Sequence, residues 1–524
     1  MAEAKAITSV EPLDIERPTK GTRTQIFQIS ALAIGIFCVA LDNNILATAI
    51  PTIADHFHSP QDIGWYGSSY LLASCSAVLF FGRIYTLCPA KWVFLCSLFL
   101  FDLGSLICAL APSSKALIAG RLIAGVGDGG MFPGSLLIVS QQIPLKRQPS
   151  FNGVLACFYT LGNILGPLLG GAITYKLSWR WCFYINLPFG AVTATLVLIA
   201  VSSEWPIEWS GSWEPKKQLL AMDPAGTLCL IPVVPCLLLA LEWGGQQYTW
   251  ENPRIIALLS VTGALAMAFV FTQYLQLTGE MLPRTVVRNG AYWGSLGFAF
   301  CMCGAMSVSM YYLPLWFQVV KEASQLESGI MNLPMTLGVG LVALIAGHLV
   351  SFTGYFLPWM LTGAVLCSIC SGLLTTLQID SGRSQWIGYQ AGVGIGIGLG
   401  LNLPVSLIPR IVSASERSRA MEMMAFVQLM AGALVLTIAH SVFQSLLVRS
   451  LPQTDSMDAP QMVNIGFTNL RDQFPDEKTY AAVLEVYSHT LQRTLYIGFA
   501  CSLLSIVMGA GISGWTWKKR PSKM

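Results

Sequence analysis

Long apolar runs alternate with short polar stretches over most of the chain. Each run has the length expected of a helix that crosses a membrane, about 20 residues for a hydrocarbon core of about 30 Å. The pattern therefore predicts an all-α polytopic membrane protein with fourteen transmembrane spans. In chain order, spans 1 to 14 are predicted at residues 26–49, 63–86, 92–111, 115–139, 150–175, 181–201, 223–242, 253–275, 291–319, 329–350, 355–377, 385–409, 419–447 and 491–514.

The predicted organisation is two bundles of six helices, the N-half (26–201) and the C-half (291–514), with two additional spans between them (223–275). Pro51–Gly82 and Pro314–Gly347 bracket corresponding parts of the halves at spacings of 31 and 33 residues, which indicates internal duplication. Duplicated bundles around a midplane site are typical of secondary transporters. The connecting segments are predicted as a disordered cytosolic tail (1–25), cytosolic linkers (202–222 and 276–290), an outer loop (448–490) and a basic cytosolic tail (515–524).

Composition supports a membrane protein and argues against other classes. Hydrophobic residues make up 54% of the 524 residues and charged ones 11%, far from the balance of a soluble domain. A net charge of +3 provides no polybasic surface, so we expect no nucleic-acid partner. The fourteen cysteines lie mostly in apolar runs, which predicts small buried side chains. Cys367-x-x-Cys370 stands alone, with no second such pair or histidine cluster, so we expect no metal site.

The distribution of Lys and Arg predicts the orientation of the chain. With the N-terminus inside, inner segments carry 19 of these residues and outer segments carry 10. Positive charge concentrates on the cytosolic side of membrane proteins. Both termini are therefore predicted in the cytosol. We expect the plasma membrane, with the vacuolar or a vesicle membrane as the alternative.

Four ionisable residues within the spans are the candidates for chemistry: Asp42 in span 1, Asp102 in span 3, and Arg121 and Asp128 in span 4. A charge in hydrocarbon costs several kcal/mol unless it faces a cavity or a partner. Asp42 stands beside two asparagines in VALDNNILATAIP. Because a carboxylate withdrawn from water binds a proton more readily, Asp42 is the first candidate for a proton carrier.

Span 4 contains RLIAGVGDGGMFPG (121–134), which matches the glycine pattern of dinucleotide-binding loops. That reading needs a preceding strand, whereas an apolar run precedes this segment. In a helix, Arg121 and Asp128 lie within about 20° of one face and about 10 Å apart, with Gly125 between them. We expect both charges to face one aqueous cavity. The alternative is a structural ion-pair network between helices.

The segment LGNILGPLLGG (161–171) matches g-x-x-x-G-P-x-x-G-G, the antiporter motif of the major facilitator superfamily. Glycines at four-residue spacing allow close helix packing, and a proline removes a backbone hydrogen bond. The resemblance implies a gating element. The matching residues are Gly162, Gly166, Pro167, Gly170 and Gly171.

Further segments resemble the fourteen-span drug:proton antiporters, and WRWCFYINLP (179–188) and YYLPLWFQVVK (311–321) resemble their fungal toxin and multidrug efflux branch. The resemblance covers residues 25 to 515. Arg121 falls on a motif residue that the family associates with proton coupling, while Asp128 stands where the family has a small residue. Thr86 replaces the aspartate of the loop motif after span 2, which puts the usual charge latch between the halves in question.

The resemblance implies the major facilitator fold and proton-coupled export of small amphipathic organic compounds by alternating access, by a monomer in the lipid bilayer that needs no cofactor. Asp42, Asp102, Arg121 and Asp128 would handle protons. Spans 1, 4, 9 and 12 would line the central cavity. The implied substrate-binding residues are Asn43, Asn44, Asp128, Tyr311, Tyr312, Trp316, Asn402 and Gln428.

Two alternatives remain open at this point. Uptake of a siderophore or another small nutrient is the first, and the complete antiporter motif argues against it. A membrane sensor or enzyme is the second. An enzyme would be expected to carry a nucleophile–base pair or a set of metal ligands in its spans, and a sensor would be expected to carry a large soluble domain. The sequence contains neither feature.

Overall fold

The computed structural model describes residues 22–59, 62–203, 224–244, 248–275, 288–413, 416–450 and 477–516. Within these ranges the regular structure is helical, apart from an isolated bridge between Gly244 and Tyr248. The helices are Thr22–Phe57, Ile63–Leu87, Ala90–Leu110, Ser114–Gln142, Gln148–Lys176, Trp181–Tyr184, Asn186–Ala200, Pro224–Trp243, Pro253–Leu275, Gly290–Val320, Gln325–Met331, Leu333–Thr353, Leu357–Leu374, Arg383–Gly400, Leu403–Ile411, Arg417–Ser450 and Glu477–Thr516. The predicted all-α class is confirmed.

Several predicted segments lie wholly or partly outside the described residues. These are residues 1–21 of the cytosolic tail, 204–222 and 276–287 of the two linkers, 451–476 of the outer loop and 517–524 of the basic tail. The domain boundaries drawn through these segments stay predictions. The first helix begins at Thr22, four residues before the predicted start of span 1.

Thirteen membrane-span candidates in the described chain are long and apolar enough to cross a bilayer. The remaining predicted span, span 7, lies in the helix Pro224–Trp243, whose apolar run Leu228–Leu241 is shorter. Span 12 is divided between Arg383–Gly400 and Leu403–Ile411. The second segment has proline near its start, where the missing N–H and the fixed φ of the ring are tolerated.

The two halves repeat one packing arrangement. In the N-half, span 1 packs along spans 5 and 6, and span 4 packs along spans 2 and 3. In the C-half, span 9 packs along spans 13 and 14, and span 12 along spans 10 and 11. Adding eight to each span number converts the first set of contacts into the second, as internal duplication predicts. Span 7 lies against spans 2 and 13, and span 8 packs along span 7.

The halves meet where span 5 packs on span 10 and span 2 on span 13. Hydrogen bonds cross this boundary at the end of the bundle where span 5 begins and spans 10 and 12 finish. Ser150 Oγ lies 2.9 Å from Ser351 Oγ, and Asn152 Nδ2 donates to Ser406 Oγ at 2.9 Å. We call this end of the bundle the closed end.

Candidate functional site

Asp42 and Arg121 form an ion pair inside the N-half. Arg121 Nη1 lies 2.5 Å from Asp42 Oδ2, and both side chains are almost completely buried. Arg121 Nε also donates to the carbonyl oxygen of Tyr66 at 3.1 Å, and the guanidinium lies 4.2 Å from the ring centroid of Tyr70. These contacts supply the compensation that a buried guanidinium requires. The structure thus joins two residues that the sequence analysis proposed separately.

Asn186, at the start of the long helix of span 6, extends the network of the ion pair. Its Nδ2 donates to Asp42 Oδ1 at 2.8 Å and to Ser105 Oγ of span 3 at 3.1 Å. The sequence analysis overlooked both Asn186 and Ser105 as site residues. The available signal was an amide within WRWCFYINLP, a segment noted for its family resemblance alone.

Asp128 has a different environment from Asp42. Ser74 Oγ of span 2 donates to Asp128 Oδ2 at 2.6 Å, and the side chain is buried. The predicted aqueous cavity along the Arg121–Asp128 face is wrong for this conformation, because that face packs against span 2. A Cβ added at Gly125 would collide with the carbonyl oxygen of Tyr70, so glycine here permits backbone contact between helices.

Asp102 is partly buried between spans 3 and 6. Its carboxylate occupies the space that a side chain at Gly190 would take. The Oδ1 atom is buried and has no hydrogen-bond partner among the described residues. Asp102 precedes Ser105 by three residues, which places the two on one helical face. It therefore lies about one turn from the Asp42 network, with no described hydrogen bond to it.

Three glycines of the antiporter motif form the contact between spans 5 and 1. A Cβ at Gly162 would lie 2.7 Å from that of Ala40, and one at Gly166 would lie 2.6 Å from that of Asn44. A Cβ at Gly170 would collide with the backbone of span 1. We call this contact the glycine seam. It brings the two helices within backbone distance, as glycines at four-residue spacing permit.

Gly171, the fourth glycine, lies outside the seam, because a Cβ there would meet nothing within 4 Å. Pro167 lies inside the helix Gln148–Lys176, which continues past it. Asn44 was predicted to bind substrate, and in this conformation it belongs to the seam. Its Nδ2 donates to Asn163 Oδ1 and to the carbonyl of Ala40, each at 2.9 Å.

The predicted substrate-binding aromatics of span 9 separate into two environments. Tyr311 is 46% exposed, and its ring lies edge-on to His440 of span 13, with 6.5 Å between centroids. Tyr312 and Trp316 are completely buried in the core of the C-half. The Tyr312 hydroxyl and the Trp316 Nε1 have no hydrogen-bond partner among the described residues.

The remaining predicted substrate residues are partly buried. Asn43 and Gln428 belong to spans 1 and 13, and Gln428 Oε1 is buried without a described partner. Asn402 lies at the break within span 12. The sequence analysis overlooked Gln390 of the same span, which is completely buried and whose amide oxygen and nitrogen both lack partners in the described chain. The signal was an amide in an otherwise apolar, glycine-rich run.

Glu422 of span 13 places a carboxylate from the C-half at the boundary with span 2. Glu422 is buried, and one of its oxygens would lie 2.7 Å from a Cβ at Gly82. Arg83 is also buried, and its carbonyl accepts a hydrogen bond from Thr86 Oγ1 at 2.7 Å. Span 2 thus carries a buried guanidinium next in sequence to the glycine that Glu422 approaches.

The described residues contain no group of three His, Cys, Asp or Glu side chains arranged to hold a metal ion. All fourteen cysteines are free thiols, and only Cys96 is exposed. Burial of a thiol in apolar surroundings suppresses its reactivity.

Comparison with protein families assigns the fold. A family model described as Major Facilitator Superfamily matches residues 32–436. The chain belongs to the major facilitator superfamily. The predicted membership is confirmed, and the packing repeat described above is the duplication of this superfamily seen in one of its members.

Relatives within the major facilitator superfamily match nearly the whole chain. The efflux pump roqT of Penicillium rubens is 43% identical over 508 residues, covering 97% of this chain and 94% of that protein. The efflux pump aunC of Aspergillus niger is 42% identical over 494 residues, covering 94% and 93%. The MFS-type efflux pump MFS1 of Trichophyton rubrum is 39% identical over 525 residues, covering 100% and 97%. The predicted resemblance to fungal efflux pumps is confirmed.

Solved structures support the same fold at low sequence identity. The proton:xylose symporter XylE has a TM-score of 0.58 and 14% identity, covering 89% of this chain and 99% of that one. The human organic anion transporter MFSD10 has a TM-score of 0.56 and 15% identity, covering 90% and 99%. These similarities concern the fold alone.

Proposed function

We propose that this major facilitator exports small amphipathic organic compounds, either drugs or secondary metabolites, in exchange for protons. The export direction is supported by the efflux pumps that match nearly the full chain at 39–43% identity. The observation that carries the proton mechanism is the buried ion pair between Asp42 and Arg121. The complete antiporter motif is consistent with both.

The ion pair suits proton coupling because protonation of Asp42 changes the energy of the buried pair. With Asp42 charged, Arg121 is neutralised inside the N-half. A proton on Asp42 removes the counter-charge and leaves a buried guanidinium uncompensated, a strongly unfavourable arrangement. Proton binding therefore favours any conformation in which Arg121 gains another anion or water. A shift of conformational populations by differential binding is the basis of alternating access.

In the proposed orientation both termini are cytosolic, so the closed end faces the cytosol and the described conformation faces outward. The glycine seam keeps spans 1 and 5 in backbone contact, and span 5 also packs against span 10 of the other half. Span 5 thereby connects the helix that carries Asp42 to the boundary at which the halves separate. We place the protein in the plasma membrane as a monomer that has no enzymatic activity and needs no cofactor.

The proposed cargo surface combines the half-exposed Tyr311 with the partly buried amides Asn43, Asn402 and Gln428. Aromatic rings supply contact area and amides orient polar atoms, a combination that suits amphipathic organic molecules. Tyr312 and Trp316 join this surface only if the C-half rearranges, because both are enclosed in the described conformation.

Transport by purified protein in proteoliposomes tests the proposal. The vesicles carry an imposed pH gradient and one member of a panel of fluorescent aromatic compounds, with rhodamine 6G as the cationic probe. We expect transport that depends on the gradient and stops when an ionophore removes it. The control variant is Arg254→Gln. It changes an exposed arginine that lies beside Tyr248 in the segment between spans 7 and 8, and its transport should match that of the wild type. Equal transport with and without the gradient would disprove antiport.

A further inference from the structure

We propose that Asn186 is the positioning residue of Asp42, and that its side-chain amide forms hydrogen bonds to Asp42 in both protonation states of that carboxylate. The inference rests on the proposed function, in which Asp42 binds and releases the coupled proton. It adds a residue from span 6 that no family motif used above assigns to coupling.

The geometry places the amide directly on the carboxylate. Asn186 is completely buried, and its Nδ2 donates to Asp42 Oδ1 at 2.8 Å and to Ser105 Oγ at 3.1 Å. The amide oxygen, Asn186 Oδ1, is buried and has no partner in the described chain. The amide nitrogen therefore makes two hydrogen bonds, and the amide oxygen makes none with the described residues.

The hydrogen-bond chemistry of the three groups explains this arrangement. A charged carboxylate only accepts, so the Nδ2 hydrogens face Asp42 and Ser105 when Asp42 carries no proton. A protonated carboxyl group donates through its O–H. A half-turn of the Asn186 amide then brings Oδ1 to face both Asp42 and Ser105, and the serine hydroxyl reorients to donate. Asp42 and Ser105 are bonded to the amide in both states, through Nδ2 in the first and through Oδ1 in the second, and no covalent bond at Asn186 changes.

Arg121 cannot take this role because a guanidinium only donates. It stabilises the charged form of Asp42 and cannot accept a hydrogen bond from the O–H of the protonated form. An acid group buried without a hydrogen-bond partner is unfavourable. Asn186 is therefore the described partner of Asp42 that can accept a hydrogen bond from the neutral acid.

Other ionisable groups also surround Asp42. They contribute to the electrostatic potential at its carboxyl group in the wild type and in the Asn186 variants alike. They are Arg121 and Asp128 on span 4, Cys38 on span 1, Tyr70 on span 2, Cys108 on span 3, and Cys182 on the short helix that begins span 6.

Infrared titration of the purified full-length protein in lipid nanodiscs tests the inference without any cargo. The carbonyl stretch of protonated Asp42 is identified as the band that Asp42→Asn removes. In Asn186→Leu, which has similar volume and no hydrogen-bonding group, we expect the midpoint of this band to shift toward alkaline pH by about one unit, a tenfold change in proton affinity. The reason is that the charged form loses a charge-assisted donor. Ser105→Ala, which preserves the Asn186–Asp42 bond, should shift it by at most a few tenths.

The amide itself provides a second readout, which is measured on the wild-type protein and uses the variants only to assign the bands. In the wild-type protein, the side-chain carbonyl stretch of Asn186 should change frequency in step with the Asp42 band, and Asn186→Leu identifies it by its loss. An Asn186 carbonyl band that stays constant through the titration would overturn the inference. So would a folded Asn186→Leu protein whose Asp42 midpoint equals that of the wild type.

These outcomes are independent of the transport assay. Coupled infrared bands in a protein that transports equally with and without a pH gradient would sustain the inference and reject proton antiport. Gradient-dependent transport with an unaltered Asn186 band would do the reverse.

Discussion

The two halves of the molecule share one packing arrangement but contain different buried polar groups. Of the five charged residues that the structure describes as buried, Asp42, Arg83, Arg121 and Asp128 belong to the N-half. The fifth, Glu422, lies where the C-half meets span 2. The deep interior of the C-half holds neutral polar groups without described partners, namely the Tyr312 hydroxyl, the Trp316 indole nitrogen and the Gln390 amide, and the N-half has such groups as well, for example the Ser69 and Thr193 hydroxyls.

This difference indicates a division of roles within a duplicated frame. Charges buried in the N-half are matched by close partners, as a proton-dependent ion pair requires. A neutral polar group buried without a partner costs about 1–3 kcal/mol, and such groups in native proteins often bind water or a ligand. We interpret the N-half as the site of proton coupling and the C-half as a source of hydrogen-bonding groups for polar ligands.

The largest expected effect comes from breaking the ion pair on one side. Asp42→Asn leaves Arg121 buried without a counter-charge, and we expect a loss of about 3–5 kcal/mol in the free energy of unfolding. The double variant Asp42→Asn/Arg121→Gln should recover most of this stability while proton-driven transport stays absent. Chemical denaturation in nanodiscs and proteoliposome transport measure the two effects. A double variant no more stable than Asp42→Asn would contradict the pairing.

The second prediction concerns the charge on Asp128. Ser74→Ala removes its hydrogen-bond donor, which should cost about 1.5–3 kcal/mol if the carboxylate is charged. Asp128→Asn should cost less, because an amide oxygen still accepts from Ser74. The stabilities are compared at neutral and acidic pH. Equal losses in the two variants would show that Asp128 contributes no buried charge to the N-half.

Glycine-to-alanine substitutions at corresponding helix contacts compare how tightly the two halves are packed. Gly166→Ala places a Cβ 2.6 Å from that of Asn44, and overpacking of this kind costs about 1–3 kcal/mol. Gly432→Ala, in the corresponding contact of spans 9 and 13, meets only the Ser307 hydroxyl at 3.1 Å. We expect a smaller loss there, and none for the control Gly171→Ala. Thermal unfolding measures all three, and equal losses at Gly166 and Gly432 would refute the distinction.

The smallest expected effect comes from removing single hydroxyl groups. Tyr85 of span 2 donates to the carbonyl of Gly130 at 2.9 Å, so Tyr85→Phe should cost about 1 kcal/mol. Tyr312→Phe should be neutral or stabilising, since its hydroxyl has no described partner. Denaturation of both variants without cargo makes the comparison. A loss at Tyr312 matching that at Tyr85 would mean that the hydroxyl is bonded, for example to buried water.

The sequence predicted the helices well because span length depends on local composition. All fourteen spans coincide with helices, although the breaks within spans 6, 10 and 12 escaped prediction. The candidate site was predicted less well, because it depends on contacts between segments that are distant in sequence. Asp42 and Arg121 were each identified as a charge that is costly to bury, but a sequence separation of 79 concealed their pairing. Asn186, 144 residues from Asp42, had no local feature that marked it as a partner.

The roles of the glycines were predicted less completely than the helices and more completely than the ion pair. Four-residue spacing correctly indicated a close helix contact, but spacing does not identify the opposing helix, which is span 1. The same limitation explains the error at Gly125. An absent side chain indicates available space, and only the tertiary structure shows that the backbone of span 2 fills it.

The closed end also offers a way to time the opening of the transporter. Ser150 and Ser351 face each other across it with 2.9 Å between hydroxyl oxygens, so cysteines at both positions would bring their sulfur atoms near each other. With Ser150→Cys and Ser351→Cys introduced together, an oxidant should trap molecules whose closed end is shut. Eight of the fourteen native thiols are buried, and the protein without the two substitutions measures the background from the others. The rate of cross-linking then reports how often each molecule adopts that state. A cargo that holds the halves apart should slow the reaction.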